Sequence, residues 1–164
     1  MTAPTPAQAP AAQSPAGSVP DAAELAEIRQ TLAAYAHIFD DHDLDRFHLV
    51  FTEDVVIEMT RGAGTVTRGL AEIQAFAASL PEGGLDHHTL DTVVFIGEDG
   101  LVRARSRYLA LLADQSVHNG EYLDLLTRTP AGWRIARRIS VPRIPHGPRV
   151  PLSEEDRRAW RPRS

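Results

Sequence analysis

The 164-residue chain has no cysteine, and all 17 of its basic residues are arginine, so it has no lysine either. The first absence excludes a disulfide scaffold, a thiol enzyme and a Cys-ligated zinc or iron–sulfur site. The second excludes a lysine Schiff base and a P-loop. No apolar run approaches the roughly 18 to 20 residues that span a bilayer, and no basic stretch followed by an apolar one opens the chain. A cytoplasmic protein with no membrane contact is expected. Gly-x-Ser-x-Gly elbows, His-x-His pairs and His-Glu-x-x-His pairs are missing as well, and neither metal nor cofactor is expected.

What is present fits one globular domain, with 43% hydrophobic residues and a net charge of −5. The charge is lopsided, with 4 Arg against 16 acidic residues up to position 100 and 13 Arg against 6 beyond it. No aromatic stacking surface or recognition-helix pattern accompanies the arginines, so nucleic acid is not an expected partner. Residues 1–20 hold 6 Ala and 5 Pro and almost nothing to bury, which predicts a disordered tail. From Asp21 the apolar residues Leu25, Ile28, Leu32, Tyr35 and Phe39 step by three and four, the stripe of an amphipathic helix capped by Asp21.

A shorter helix with Leu44, Phe47, Val50 and Phe51 on its apolar side follows, then a strand over 54–59, a turn with a short return strand over 62–69, and a third helix from Leu70 to Leu80. Beyond Gly83-Gly84 four strands are expected, about 88–96, 101–113, 117–129 and 132–141, joined by turns too short for anything but antiparallel hairpins. The fold class is therefore α+β, with three helices packed on a strongly curved, mainly antiparallel sheet over residues 21–142. Residues 143–164, rich in Pro and Arg, predict an extended arm with one helical turn near Ser153 to Trp160.

Three clusters carry candidate chemistry. Asp40, Asp41 and Asp43 stand at the carbonyl end of the first helix, where the macrodipole disfavours negative charge, and Asp40 follows Phe39 at the edge of the apolar stripe. His87 and His88 are adjacent in a strand, so alternation sends one imidazole to each face. Counting along the strand puts His88 with Leu90, Thr92 and Val94. In the next two strands Ala104, Ser106, Tyr108 and Ala110 share one face, as do His118, Gly120, Tyr122 and Asp124, the pattern of a cavity wall.

The stretches YAHIFDDHDLDRFHLVFTEDVVIEM, RGLAEIQAFAASL, DHHTLDTVVFIGEDGLVRARSRYLALL, GEYLDLLTR and GWRIARRI resemble the SnoaL-like branch of the nuclear transport factor 2-like superfamily over residues 22–141. The resemblance implies a cone-shaped fold that hosts many functions. The site pattern is similar to that of the bile acid 7α-dehydratases and hexachlorocyclohexane dehydrochlorinase, which implies Asp40 and His88 as a catalytic dyad and Tyr35 as a hydrogen-bond donor. Tyr108, Tyr122, His118, Phe39 and Met59 are the expected substrate-binding positions. Phe39 and Met59 stand where scytalone dehydratase carries tyrosines, which argues against a hydroxynaphthalenone substrate. Arg128 and Arg138 are both open as the arginine that completes such sites.

The function so implied is a cofactor-independent lyase or isomerase, of dehydratase or cyclase type, acting on a hydrophobic polycyclic or polyketide-like small molecule. The alternative is a noncatalytic ligand-binding or scaffold protein, like the small subunits of ring-hydroxylating dioxygenases. A homodimer is expected through the outer sheet face, with Arg103, Arg105 and Arg107 meeting Glu121 and with Leu109, Leu111, Leu123 and Leu125 supplying apolar area.

Overall fold

The Asp21 carboxylate accepts a hydrogen bond from the Glu24 backbone N–H and the Glu24 carboxylate accepts one from the Asp21 backbone N–H, a reciprocal cap that starts helix α1 (Ala22–Asp40). In this computed structural model, which describes residues 19–161, the expected stripe is the buried face of α1, with Thr31 and Ile38 joining it. The predicted disordered tail falls almost wholly on residues 1–18, outside the described residues. A 3-10 helix (Leu44–Leu49) turns the chain into β1 (Phe51–Met59), β2 (Thr65–Arg68) and α2 (Leu70–Ala78). Four long strands follow: β3 (Leu85–Ile96), β4 (Val102–Leu112), β5 (Val117–Thr129) and β6 (Gly132–Ile144). None of the described helices is long and apolar enough to cross a membrane.

The six strands form one sheet in the order β2-β1-β6-β5-β4-β3, antiparallel except where β1 runs parallel to β6. Four register shifts interrupt three of the pairings: Phe51/Val56 in β1, Leu90/Val93 in β3, and two in β6, where one extra residue stands opposite each of the steps Asn119/Gly120 and Leu125/Leu126 of β5. Each shift bends its strand and strengthens local twist, so the sheet curls around the helices as an NTF2-like cone. The core lies between α1, α2 and the concave face, around Ile28, Leu32, Phe47, Val55, Ile73 and Ile135.

The C-terminal arm returns across the convex face as helix α3 (Glu154–Ala159), with Ser153 as its N-cap. Trp160 seats on Leu123 and Ile139, and its indole N–H donates to the Asp124 carbonyl at 3.2 Å. The chain thus covers with its own tryptophan part of the apolar surface assigned to a homodimer, since Leu123 is buried and Leu125 packs at the rim of the same cluster. Of the arginine row, Arg105 and Arg107 do meet Glu121 of the next strand. Arg103 turns instead to Asp99 and the Trp160 ring.

Candidate active site

A cavity of about 240 Å3 opens between α1, α2 and the concave face of the sheet. Its walls are mostly apolar, with Phe39, Ile57, Met59, Ile73, Phe76, Leu80, Leu85 and Leu112 contributing. The polar residues facing it are Tyr35, His87, Tyr108, His118, Tyr122, Arg138 and Ser140 toward the interior, with Arg61 and Thr67 from the β1–β2 hairpin. Six residues expected from sequence, Tyr35, Phe39, Met59, Tyr108, His118 and Tyr122, therefore line one space. Tyr108 lies across Gly120 in the β4–β5 register, and a Cβ there would collide with the Tyr108 ring and the Val141 carbonyl. The missing side chain is what lets Tyr108 lie flat and stack on Tyr122, with ring centroids 4.6 Å apart.

Asp40, the last residue of α1, reaches β3 with both carboxylate oxygens. Oδ1 lies 2.5 Å from His87 Nδ1, and Oδ2 accepts the His87 backbone N–H at 2.5 Å. The two side chains are 13% and 11% exposed, and the imidazole sits edge-on to Phe39 and near Tyr35. Here the structure corrects the sequence reading. His88, expected to meet Asp40, faces outward, 47% exposed, with Nε2 3.4 Å from Asp86.

The reason is local. Asp91 adopts a left-handed φ of 50°, and the β3–β4 register shifts between Leu90 and Val93. One extra residue inverts the alternation, so Thr92 and Val94 share the inner face with His87 and Thr89 rather than with His88. Asp is among the few residues that tolerate this conformation, but nothing in the pattern of apolar residues marks the bulge.

Below the dyad lies a charged pair that the sequence reading did not assemble. Arg138 donates through Nε and Nη2 to the two oxygens of Asp124, at 2.7 and 2.9 Å, with the two side chains 1% and 0% exposed. The guanidinium carbon lies 4.1 Å from the Tyr35 ring centroid and 4.0 Å from that of Tyr122, a cation held between two aromatic faces. Its Nη1 is buried without a hydrogen-bond partner among the described residues. Arg128, the other open candidate, points away from the cavity and pairs with Glu27 beside the Trp133 ring.

Burial acts on Arg138 to favour the neutral form, but the Asp124 charge and its hydrogen bonds outweigh this, and the guanidinium is held as a cation. Burial raises the Tyr35 hydroxyl above its ordinary pKa of 10.0, with Arg138 partly opposing the rise. Tyr122 is raised further, by burial and by the neighbouring Tyr35. Both are therefore neutral donors over the physiological range. Because their folded values lie above the unfolded one, they stabilise the fold below about pH 10, and that contribution is lost as pH rises through the raised values. Spectrophotometric alkaline titration is expected to show Tyr35 and Tyr122 ionising only as the chain unfolds. Ionisation of Tyr35 and Tyr122 near pH 10 in the folded protein would contradict this environment. No group of three or more His, Asp or Glu side chains is arranged to hold a metal among the described residues.

Comparison with known proteins agrees with the architecture. Residues 20–139 match the SnoaL-like domain family, and the chain belongs to it. No curated protein matches. Among solved structures, an NTF2-like protein with a cystatin-like fold from Novosphingobium aromaticivorans is 20% identical, over 85% of this chain and 90% of its own, with a TM-score of 0.66. A candidate scytalone dehydratase from the same species is 18% identical, over 74% and 85%, with a TM-score of 0.62. ActVI-ORFA from Streptomyces coelicolor is 19% identical, over 72% and 96%, with a TM-score of 0.60. At these identities the likeness is one of fold.

Proposed function

We propose that this member of the SnoaL-like family is a cofactor-independent acid/base enzyme, a lyase or isomerase that removes a proton from carbon in a hydrophobic cyclic small molecule. The single observation that carries the reading is the Asp40–His87 pair at the wall of a mostly apolar cavity. With Nδ1–H given to the Asp40 carboxylate, Nε2 keeps its lone pair, and histidine is the side chain whose ordinary pKa suits a base near neutral pH. Asp40 is then a positioning residue. It fixes the ring through the backbone amide and Nδ1 together, and it balances the imidazolium that forms.

Proton loss beside a carbonyl moves the C–H electron pair toward oxygen as an enolate. Tyr35 as a neutral donor and Arg138 as a fixed cation are the groups that stabilise that charge. The imidazolium then returns its proton. Delivery to a departing hydroxyl breaks the C–O bond and releases water, which is dehydration; delivery to another carbon is isomerisation. A volume of about 240 Å3 lies below the roughly 300–1,000 Å3 of drug-sized sites, which favours a compact ring system over an extended polycycle.

The reading can be tested without the physiological substrate. Solvent deuterium incorporation into β-tetralone, a bicyclic ketone with acidic C–H bonds, is followed by mass spectrometry. The wild-type protein is expected to accelerate exchange above the buffer rate, and a rate equal to buffer for this and related cyclic ketones would count against a proton-abstracting enzyme.

A further inference from the structure

A second pocket, of about 150 Å3, opens beside the catalytic cavity and differs from it in chemistry. Its walls are Arg61 from the β1–β2 hairpin and the turn of the C-terminal arm, with Arg143, His146 and Arg149, and no carboxylate lines it. The backbone holds the charges together. Arg61 and Arg149 face each other across an antiparallel bridge, flanked by the Gly62 amide donating to Pro148 O and the Val150 amide donating to Thr60 O, each at 2.8 Å.

Like charges directly opposite each other on neighbouring strands destabilise the pairing unless something lies between them. Little in the protein does so. Arg149 Nη1 donates to the Pro142 carbonyl at 2.9 Å, which orients the guanidinium without neutralising it. The Arg61 side chain forms no hydrogen bond or ion pair among the described residues. Arg143 shares Glu121 with Arg105 and Arg107, so one carboxylate serves three cations.

The position of this pocket gives it a role. Arg61 and Pro142 line both it and the catalytic cavity. Arg138, Ser140 and Pro142 follow one another on the inner face of β6, and at ~3.3 Å per residue Pro142 lies ~13 Å along the strand from the cation beside the dyad. We propose that the basic pocket seats an anionic group, a carboxylate or a phosphate, at the far end of the substrate whose apolar body fills the catalytic cavity. The inference rests on the reading of that cavity as a small-molecule site and adds a substrate class to it: an amphiphile whose anion sits at the end remote from the reacting carbon.

Calorimetric titration with three probes of one length tests the proposal: 8-phenyloctanoate, 8-phenyloctyl phosphate and the neutral 8-phenyloctanol. At least one anion is expected to bind wild-type protein about ten- to a hundredfold more tightly than the alcohol, the range of a charge-assisted hydrogen-bonded contact. The larger gain identifies carboxylate or phosphate as the preferred group. In the Arg61→Gln/Arg149→Gln variant the preference of anion over alcohol is expected to vanish, and a far-UV circular dichroism spectrum equal to that of the wild type shows that the variant is folded. His87→Ala is expected to keep the preference. Equal binding of anions and alcohol, or a preference that survives the double substitution, overturns the anion site alone. Failure of all three probes to bind overturns the cavity reading and this inference with it.

Discussion

Asp124→Asn is expected to cost about 3–5 kcal/mol of stability, the usual effect of breaking a buried ion pair from one side. Among the described residues Arg138 has no other ion-pair partner: its guanidinium is 1% exposed, and both of its ion-pair hydrogen bonds end on Asp124. The amide would turn an N–H toward the guanidinium donors and leave a cation between two tyrosine rings. Since single domains are stable by only about 5–15 kcal/mol, much of the fold's margin would be gone. Urea unfolding measures the loss as a lowered midpoint. The double variant Asp124→Leu/Arg138→Met is expected to be more stable than Asp124→Asn, because both charges leave together. A cost under about 1 kcal/mol for Asp124→Asn would show that the pair is not shielded from water as described.

The second large effect is on rate. His87→Ala is expected to lower proton exchange or turnover by about 10² to 10⁴, the range for a positioned general base, with the fold intact. His88→Ala is expected to change it by less than about twofold, since that ring is on the outer face and 47% exposed. Asp40→Asn is expected to fall between them: the amide oxygen can still accept the His87 N–H, but it cannot balance an imidazolium. Equal losses in His87→Ala and His88→Ala would point to an effect of the strand as a whole rather than of one base.

These two sites differ in how far the sequence reveals them. Local periodicity shows α1, so the inward direction of Tyr35 and Phe39 and the place of Asp40 at the helix end are legible from spacing alone. The inner faces of β4 and β5 are legible for the same reason, because β4 is regular and the small residues Ala104, Ser106 and Ala110 mark the wall. In β3 the same counting fails by one residue. The bulge at Asp91 is a backbone event that only the register with β4 reveals, and it moves Thr92 and Val94 to the face of His87, whereas the pairing of His88 with Asp40 is what the family resemblance implies.

Arg138 and Asp124 stand 14 residues apart, and they meet because one extra residue of β6, Ala136, at the shift opposite Leu125/Leu126 sets which residue of β6 lies opposite Asp124. Hairpin logic finds neighbouring strands but not that offset. The parallel β1–β6 pairing and the seating of Trp160 on the convex face are contacts between distant segments, and local patterns are silent about them. The arm is recognisable in advance as extended and proline-rich. What it covers is not.

The most direct test of the central claim, that Asp40 orients His87 and leaves Nε2 free as the base, is the tautomer of His87 in solution. Long-range 1H–15N correlation, with the signal assigned by its loss in His87→Gln, distinguishes the protonated from the bare ring nitrogen. In the uncharged ring of His87 the proton is expected on Nδ1 with Nε2 bare, and Asp40→Asn is expected to give a tautomer mixture. A proton fixed on Nε2 of His87, or a tautomer unmoved by Asp40→Asn, would contradict that claim.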